Sequence, residues 1–310
     1  MDLVATLLLS LVGLVFIGMA LRDIFDVLFH LEGHAMISRA IMRTVWRVLR
    51  RVADARPQVW PLAGPVGLVA TIAAWALLLL VGWALLLWPH LGNFQDAAGK
   101  PPDGGLWEAL HLSGGILSTM GWGDVTPVGP WMRVITPLEA LLGFGLLTAS
   151  VTWLFAVHPA VQRRRALAYE LWLLRQVSDG ARDAPAFDGQ VIAELTSGII
   201  SVQRDIVAHP ATYYFRDPDE RLLLSAELPF LQDVANHVAA AGPDVATARR
   251  ARMLSQSIDE LLLTIARRIH GRDGVEPAEA LRIFVRDHLK REPPEPAAAP
   301  CARLSPAGPA

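Results

Sequence analysis

Three long apolar stretches divide the N-terminal half of the chain. The runs Leu3–Leu21 and Pro65–Trp88 contain no charged residue, and Met132–Phe155 contains two, Arg133 and Glu139. An α-helix of about 20 apolar residues crosses a hydrocarbon core about 30 Å thick, and its backbone hydrogen bonds are all satisfied within the helix. The pattern therefore predicts an all-α membrane protein with three transmembrane helices.

A shorter apolar segment, Leu106–Ser118, lies between the second and third stretches and is too short to cross a membrane. It follows the helix-start sequence Pro101-Pro-Asp-Gly-Gly105 and runs directly into the glycine-rich stretch Thr119–Asp124. Non-helical backbone at membrane depth is tolerated only where it is buried in protein or lines a cavity. A short helix, then glycine-rich backbone, then a full span predicts a re-entrant loop.

The segment between the first two spans, residues 23–63, is basic. Apolar residues recur at helical spacing from Met36 to Leu49, and six arginines lie among and after them: Arg39, Arg43, Arg47, Arg50, Arg51 and Arg56. This pattern predicts an amphipathic helix with two possible placements. It lies along the inner leaflet, with anionic lipids as partners of residues 39–56, or it extends the first span and packs on neighbouring helices.

The basic residues also predict the orientation of the chain. The arginine-rich 22–63 segment and Arg163-Arg164-Arg165 flank the spans on one side, whereas the 89–131 loop contains a single lysine, Lys100. By the positive-inside rule the N-terminus is outside and the C-terminus is cytoplasmic, in the plasma or inner membrane. The first residues, Met-Asp, carry no positive charge, so we expect the first helix to be retained rather than cleaved as a signal peptide.

The region from residue 159 to 292 carries most of the charge and alternates helical apolar patterns with Gly, Pro and Asp breaks. It is predicted to be a helical cytoplasmic domain, followed by a disordered Pro/Ala-rich tail at 293–310. It contains no phosphate-binding glycine loop, dinucleotide fingerprint or zinc-ligand spacing, so it is not recognisable as a nucleotide-binding regulatory domain. We expect no cofactor and no enzymatic reaction. The net charge of −2 gives no indication of nucleic-acid binding.

The stretch Thr119–Asp124 carries the candidate chemistry. Its glycines at alternate positions, Gly121 and Gly123, permit the positive φ that turns successive carbonyl groups the same way. Rings of backbone carbonyls replace the hydration shell of a cation in selectivity filters. The carbonyl oxygens of four residues are therefore candidate ligands of a transported cation: Thr119, Met120, Gly121 and Trp122.

The sequence Thr119-Met-Gly-Trp-Gly-Asp124 resembles the Thr-Val-Gly-Tyr-Gly-Asp filter of tetrameric potassium channels, with Met120 for valine and Trp122 for tyrosine. The match extends without gaps from Leu106 to Phe155 and includes Val125-Thr-Pro127 after the aspartate. The resemblance implies a pore domain at 64–158. Its parts are an outer helix at 65–88, a pore helix at 106–118, the filter at 119–124 and an inner helix at 132–157. Because one chain supplies one loop, it also implies a homotetramer.

Further roles follow from the same resemblance. Gly143, 19 residues past Asp124, takes the position of the gating hinge. His111 takes the position of a tryptophan that hydrogen-bonds the filter aspartate and is a candidate filter support. Glu139 is a second candidate, because an intramembrane carboxylate is usually paired, here with the pore helix of its own or a neighbouring subunit. Four residues of the inner helix are predicted either to line the cavity and its gate or to pack against core or lipid: Phe144, Leu147, Val151 and Phe155.

The predicted function is passive potassium conduction. Met120 and Trp122, and Gly115 where relatives have a carboxylate, leave two alternatives open: a weakly selective cation channel, or a membrane sensor or scaffold that keeps a pore-like fold without conducting. The chain is predicted to comprise an N-terminal transmembrane helix at 1–22, then the basic segment, pore domain, cytoplasmic domain and tail. A group of potential metal ligands lies at the first junction, where interfacial residues are the preferred explanation and metal binding is the alternative: Asp26, His30, Glu32 and His34.

Overall fold

The computed structural model describes residues 2–29, 35–102, 104–177, 187–241 and 244–289. It confirms an all-α membrane protein, 82% helical, with one short two-stranded sheet among the described residues. The helices are α1 Leu3–Phe29, α2 Met36–Val52, α3 Ala63–Leu87, α4 Leu106–Leu117, α5 Met132–Val177, α6 Gly189–Ala208, α7 Leu224–Ala241, α8 Val245–Arg268 and α9 Pro277–Leu289. The strands are β1 Phe94–Asp96 and β2 Val125–Pro127.

Three of the described helices are long and apolar enough to cross a membrane, namely α1, α3 (with its short 3₁₀ flanks) and α5. The chain forms two compact units. The first comprises Met1–Val161 together with Ala208–Pro218, and the second comprises Gln162–Val207 together with Asp219–Ala310. The first unit therefore contains all three candidate membrane helices, with α5 represented by its first part.

Helix α1 packs backbone to backbone against α3. A Cβ atom added to Gly13 would lie 2.5 Å from the carbonyl oxygen of Gly82, and one added to Gly82 would lie 2.9 Å from the carbonyl oxygen of Gly13. Small residues at such a crossing let two membrane helices approach closely, and close packing rather than the hydrophobic effect holds helices together in lipid. The N-terminal helix is thus part of the packed core of the first unit.

A buried carboxylate joins three helices at the end of α1. Asp23 is 3% exposed and accepts hydrogen bonds from the backbone N–H groups of Ile37 and Ser38 at 2.9 and 3.0 Å. It also accepts a bond from Nε1 of Trp75 in α3, at 2.9 Å. The residue at the N-cap of α2, Ala35, has no capping side chain, so Asp23 supplies the cap from another helix. Helix α1 consequently runs past the boundary predicted at residue 22 and ends at Phe29.

Helix α2 is amphipathic, as the arginine spacing predicts. Met42 and Trp46 on one face are buried, while Arg43, Arg47 and Arg51 on the other are exposed. The sulfur of Met42 fills the space over Gly67 of α3, since a Cβ there would lie 2.5 Å from it. Helix α2 is therefore a separate element with its apolar face packed on α3.

The segment Ala208–Pro218 belongs to the first unit, although the sequence places it inside a cytoplasmic domain at 159–292. Its aromatic side chains explain the difference. Tyr213 and Tyr214 are buried, and both rings lie about 6 Å from that of Trp46, at 6.2 and 5.8 Å. The ring of Phe215 covers Gly64 of α3, where a Cβ would lie 2.6 Å from it.

The second unit is a helical bundle formed by the end of α5 and by α6 to α9. Its core is apolar, with Leu171, Ile199 and Ile258 completely buried. An ion pair at 2.6 Å joins Arg163 of α5 to Asp205 of α6. Helix α5 continues to Val177, beyond the predicted end of the inner helix at residue 157, because its apolar positions keep helical spacing after the arginines.

Candidate functional site: the re-entrant loop

Helix α4, the predicted pore helix, runs along α3 from the C-terminal end of α3 toward its middle. Near its start, Ala109 and Leu112 belong to a buried cluster with Leu87 at the end of α3. At its end, Leu117 packs against a cluster containing Leu79, about 12 Å further along the α3 axis at 1.5 Å per residue. Helix α4 therefore runs antiparallel to α3.

The chain then returns to the side from which it came. Strand β2, directly after Asp124, pairs antiparallel with β1, which follows the C-terminal end of α3. In this pairing Asp96 lies opposite Val125, and Phe94 lies opposite Pro127. The loop thus enters and leaves on one side of the helical layer, which is the re-entrant geometry that the sequence predicts.

The backbone between the pore helix and β2 uses its N–H groups and its carbonyl groups differently. The N–H of Thr119 donates to the carbonyl of Ile116 at 2.9 Å, and the N–H groups of Met120 and Gly121 both donate to the carbonyl of Gly115 at 3.1 Å. Within the described part of the chain, no donor reaches the carbonyl oxygens of residues 119–122. Three successive amides are therefore bound to the pore helix, and the carbonyl oxygens remain available as ligands.

The dihedral angles alternate along this stretch. Positive φ occurs at every second residue, with 58° at Thr119, 55° at Gly121 and 75° at Gly123. Gly121 has open space around it, since an added Cβ would meet nothing within 4 Å, so the requirement for glycine there comes from φ alone. Thr119 is the one described non-glycine residue with positive φ, a conformation that costs about 1 kcal/mol or more and is concentrated at functional sites.

The predicted filter support His111 lies next to the filter. Its Nε2 is 3.4 Å from Oδ2 of Asp124, and both side chains are about half exposed, at 48% and 55%. The other carboxylate oxygen of Asp124 accepts the N–H of Val125 at 3.0 Å. The imidazole also stacks on the indole of Trp122, with ring centroids 5.9 Å apart and an interplanar angle of 22°.

The other predicted support, Glu139, is completely buried behind the pore helix of the same chain. The hydroxyl of Ser113 donates to its Oε1 at 2.5 Å and lies 3.3 Å from the carbonyl of Leu80. Among the described residues, no partner reaches Oε2 of Glu139. Outer helix, pore helix and inner helix therefore meet at one hydroxyl group, a role for Ser113 that the sequence does not reveal.

Gly143 faces the last carbonyl group of the pore helix. A Cβ added to Gly143 would lie 1.8 Å from the carbonyl oxygen of Leu117 and 2.7 Å from its carbonyl carbon. The neighbouring glycine of the same helix, Gly145, has nothing within 4 Å. Close helix approach thus gives Gly143 a steric requirement for glycine, in addition to the hinge role that remains a prediction.

The four predicted cavity residues are exposed in the single chain, by 60% at Phe144, 62% at Leu147, 45% at Val151 and 73% at Phe155. They follow helical spacing and form one stripe along α5. Leu138, on another face of α5, is exposed as well, so the single chain leaves the choice between cavity lining and lipid packing open.

The junction after α1 contains one described member of the predicted metal-ligand group. Asp26 lies 3.9 Å from Arg22, while His30, Glu32 and His34 lie outside the described residues, as does the predicted tail at 293–310. No group of three or more His, Cys, Asp or Glu side chains suited to a metal ion occurs in the described ranges.

Comparison with known proteins finds a family similarity in the region that contains this loop. Residues 70–157 match a protein family described as "Ion channel", and this range extends from α3 through the loop to α5. Residues 70–157 therefore resemble an ion-channel domain, and they lie in a chain with three candidate membrane helices.

One relative is a protein of Bacillus subtilis (strain 168) named "Uncharacterized membrane protein YdjJ". It is 28% identical over 158 residues, covering 50% of this chain and 46% of that protein. The chain thus spans about half the length of this relative. No solved structure matches the chain.

Proposed function

We propose that the protein is the subunit of a homotetrameric potassium channel whose selectivity filter is Thr119–Asp124. The observation that carries the proposal is that the amide groups and the carbonyl groups of the filter backbone have different partners. The amides of Thr119, Met120 and Gly121 bond to the pore helix, whereas the carbonyl oxygens of residues 119–122 accept no bond from the described residues. Carbonyl oxygens held in this way replace the hydration shell of a cation.

Four copies of the loop are needed to surround an ion. Every residue of the filter is exposed in the single chain, although the loop lies at membrane depth between helices. Exposed polar backbone in hydrocarbon is unfavourable by several kcal/mol per group, so other copies cover this surface. Cyclic fourfold symmetry places the four loops around one axis.

Potassium is favoured as the transported ion because the filter sequence resembles that of potassium channels. The alternating positive φ at Thr119, Gly121 and Gly123 is consistent with it, since it directs successive carbonyl groups toward the same side. The weakly selective alternative rests on Met120 and Trp122, which replace the valine and the tyrosine of the potassium-channel filter that the sequence resembles. Looser packing around these two side chains would let the carbonyl rings adapt to a smaller ion such as sodium.

The remaining assignments complete the proposal. The N-terminus is outside and the C-terminus cytoplasmic, so the exposed arginines of α2 face the inner leaflet, where anionic lipid headgroups bind basic side chains. His111 and Glu139 support the filter from the pore and inner helices, and Gly143 is the gating hinge. Phe155, the most exposed of the four cavity residues, is the proposed gate, because an apolar ring closes a pore by dewetting.

Ion flux from proteoliposomes tests the proposal. We expect a potassium gradient to drive flux that sodium supports poorly and a large organic cation does not support. Equal potassium and sodium flux would favour the weakly selective channel, and no flux from a correctly assembled protein would favour the non-conducting scaffold. The mass of the detergent-purified complex should correspond to four chains, and a monomer or dimer would contradict the assembly.

A further inference from the structure

The pore helix has no side chain at the position where the filter passes closest to it. Gly115 is a buried residue of α4, and a Cβ added to it would lie 2.4 Å from Cδ1 and 2.7 Å from Nε1 of the Trp122 indole. At its neighbour Gly114, the nearest atom would be Cδ1 of Leu80 at 3.7 Å, an ordinary van der Waals distance. The indole of Trp122 therefore occupies the space that any side chain at position 115 would need.

Trp122 is also the only side chain available to fix its part of the filter. It stands between Gly121 and Gly123, which have positive φ and no side chains. The N–H of Gly121 is held by the carbonyl of Gly115 at 3.1 Å, but no acceptor among the described residues binds the N–H of Trp122 or Gly123. Past Gly121, the position of the indole therefore determines where the carbonyl rings lie along the pore axis.

Two residues one turn apart on α4 hold that indole. His111 stacks on it with centroids 5.9 Å apart, and Gly115 receives its Cδ1–Nε1 edge. Residues at i and i+4 lie on the same face of a helix, so the indole lies across one face of the pore helix. Trp122 is 59% exposed in the single chain, and these two contacts fix the part of the indole ring that faces the pore helix.

We propose that Gly115 and Trp122 are a size-matched pair and that Gly115, which has no ligand role, is a specificity-determining positioning residue of the filter. The proposal rests on the filter function proposed above. A methyl group at position 115 displaces the indole, and the indole moves the backbone between Gly121 and Gly123. The carbonyl rings then no longer hold the spacing that distinguishes potassium from sodium.

A double-mutant cycle with a matched control tests the pair. Gly115→Ala is compared with Gly114→Ala, which adds the same methyl group at the adjacent residue of the same helix. We expect Gly115→Ala to lower the permeability ratio of potassium to sodium about tenfold, which corresponds to about 1.4 kcal/mol, and Gly114→Ala to change it less than twofold. In the Trp122→Leu background, where the side chain is smaller and flexible, Gly115→Ala should have little further effect.

The unmutated protein and the same four variants are followed by thermal unfolding of the assembled complex in detergent, so the contact is tested even in a protein that does not conduct. Gly115→Ala should lower the melting temperature in the Trp122 protein and change it little in the Trp122→Leu background. If Gly115→Ala fails to assemble, recovery of assembly in the double variant supports the pair. Additive effects, equal effects of the two glycine variants, or a double variant that also fails would overturn it. Absence of flux in the unmutated protein counts against the channel function alone.

Discussion

Gly143 of the inner helix lies directly against the carbonyl group of Leu117, the last residue of the pore helix. An added Cβ would lie 1.8 Å from the carbonyl oxygen, and Leu117 is two residues before the first filter residue, Thr119. A displacement of the inner helix at this point therefore pushes on the base of the filter. The packing joins the part of the channel proposed to move during gating with the part proposed to select the ion.

The first prediction compares the two glycines of this helix. Gly143→Ala should lower potassium flux at least tenfold and destabilise the complex, because the methyl group overlaps backbone atoms that have little room to move. Gly145→Ala adds a methyl group where nothing lies within 4 Å and should leave flux within about twofold, with a slight gain in helix stability from the loss of glycine. Proteoliposome flux and melting temperature check both variants.

A hinge role and a packing role of Gly143 predict different effects of these substitutions on gating, stability and selectivity. A hinge alone predicts a lower open probability in single-channel records of Gly143→Ala with normal stability and selectivity. If Gly143→Ala behaves like the unmutated protein while Gly145→Ala or Pro137→Ala changes gating, both the close contact and the hinge assignment at Gly143 are wrong.

The second prediction concerns the hydroxyl group that Ser113 places between the outer and inner helices. Ser113→Ala removes the one described partner of the buried Glu139 carboxyl group, and an unsatisfied buried acceptor costs about 1–3 kcal/mol. The melting temperature of the complex should fall accordingly. Glu139→Gln, which keeps an acceptor oxygen for Ser113, should be better tolerated than Glu139→Leu.

Ser150→Ala is the matched control for Ser113→Ala. Ser150 is buried to a similar degree, at 8% exposure, but its hydroxyl bonds the Leu146 carbonyl of its own helix at 2.7 Å. Its loss should change stability by less than about 0.5 kcal/mol. Equal destabilisation by the two alanine variants would argue against a special role for the Ser113–Glu139 pair.

The third prediction concerns Asp23. Asp23→Ala removes the cap of α2 and the partner of Trp75 together, so we expect the free energy of unfolding in detergent to fall by about 3 kcal/mol. Asp26→Asn, three residues further along the same helix, alters a contact with Arg22 at 3.9 Å and should change it by less than about 1 kcal/mol. A small effect of Asp23→Ala would show that α2 is held by its apolar face alone.

The elements of this fold follow from local patterns in the sequence. The uncharged runs and the helical spacing of apolar residues predict α1, α3 and α5, and the short run Leu106–Ser118 before two glycines predicts the pore helix. The filter motif is contiguous and its conformation is set by residues within it, so its position can also be predicted. These features need no knowledge of which helices are neighbours.

The contacts that position the filter depend on the packing of distant segments. Asp23 bonds to residues 14, 15 and 52 positions away, and in the sequence it is one of several polar residues at the end of a span. A signal was present, because α2 begins at Ala35-Met36 without a capping residue and so requires a cap from elsewhere. The Gly115–Trp122 and Gly143–Leu117 contacts gave no comparable signal.

The most direct test of the central claim is the reversal potential of the reconstituted channel with potassium on one side of a bilayer and sodium on the other. The account predicts a potential set by potassium, and loss of current in Gly121→Ala, since alanine disfavours the φ of 55° at this position. Gly92→Ala, at a glycine with open space and no positive φ, should conduct normally. A reversal potential near zero, or undiminished current in Gly121→Ala, would contradict a potassium filter formed by the carbonyl groups of residues 119–122.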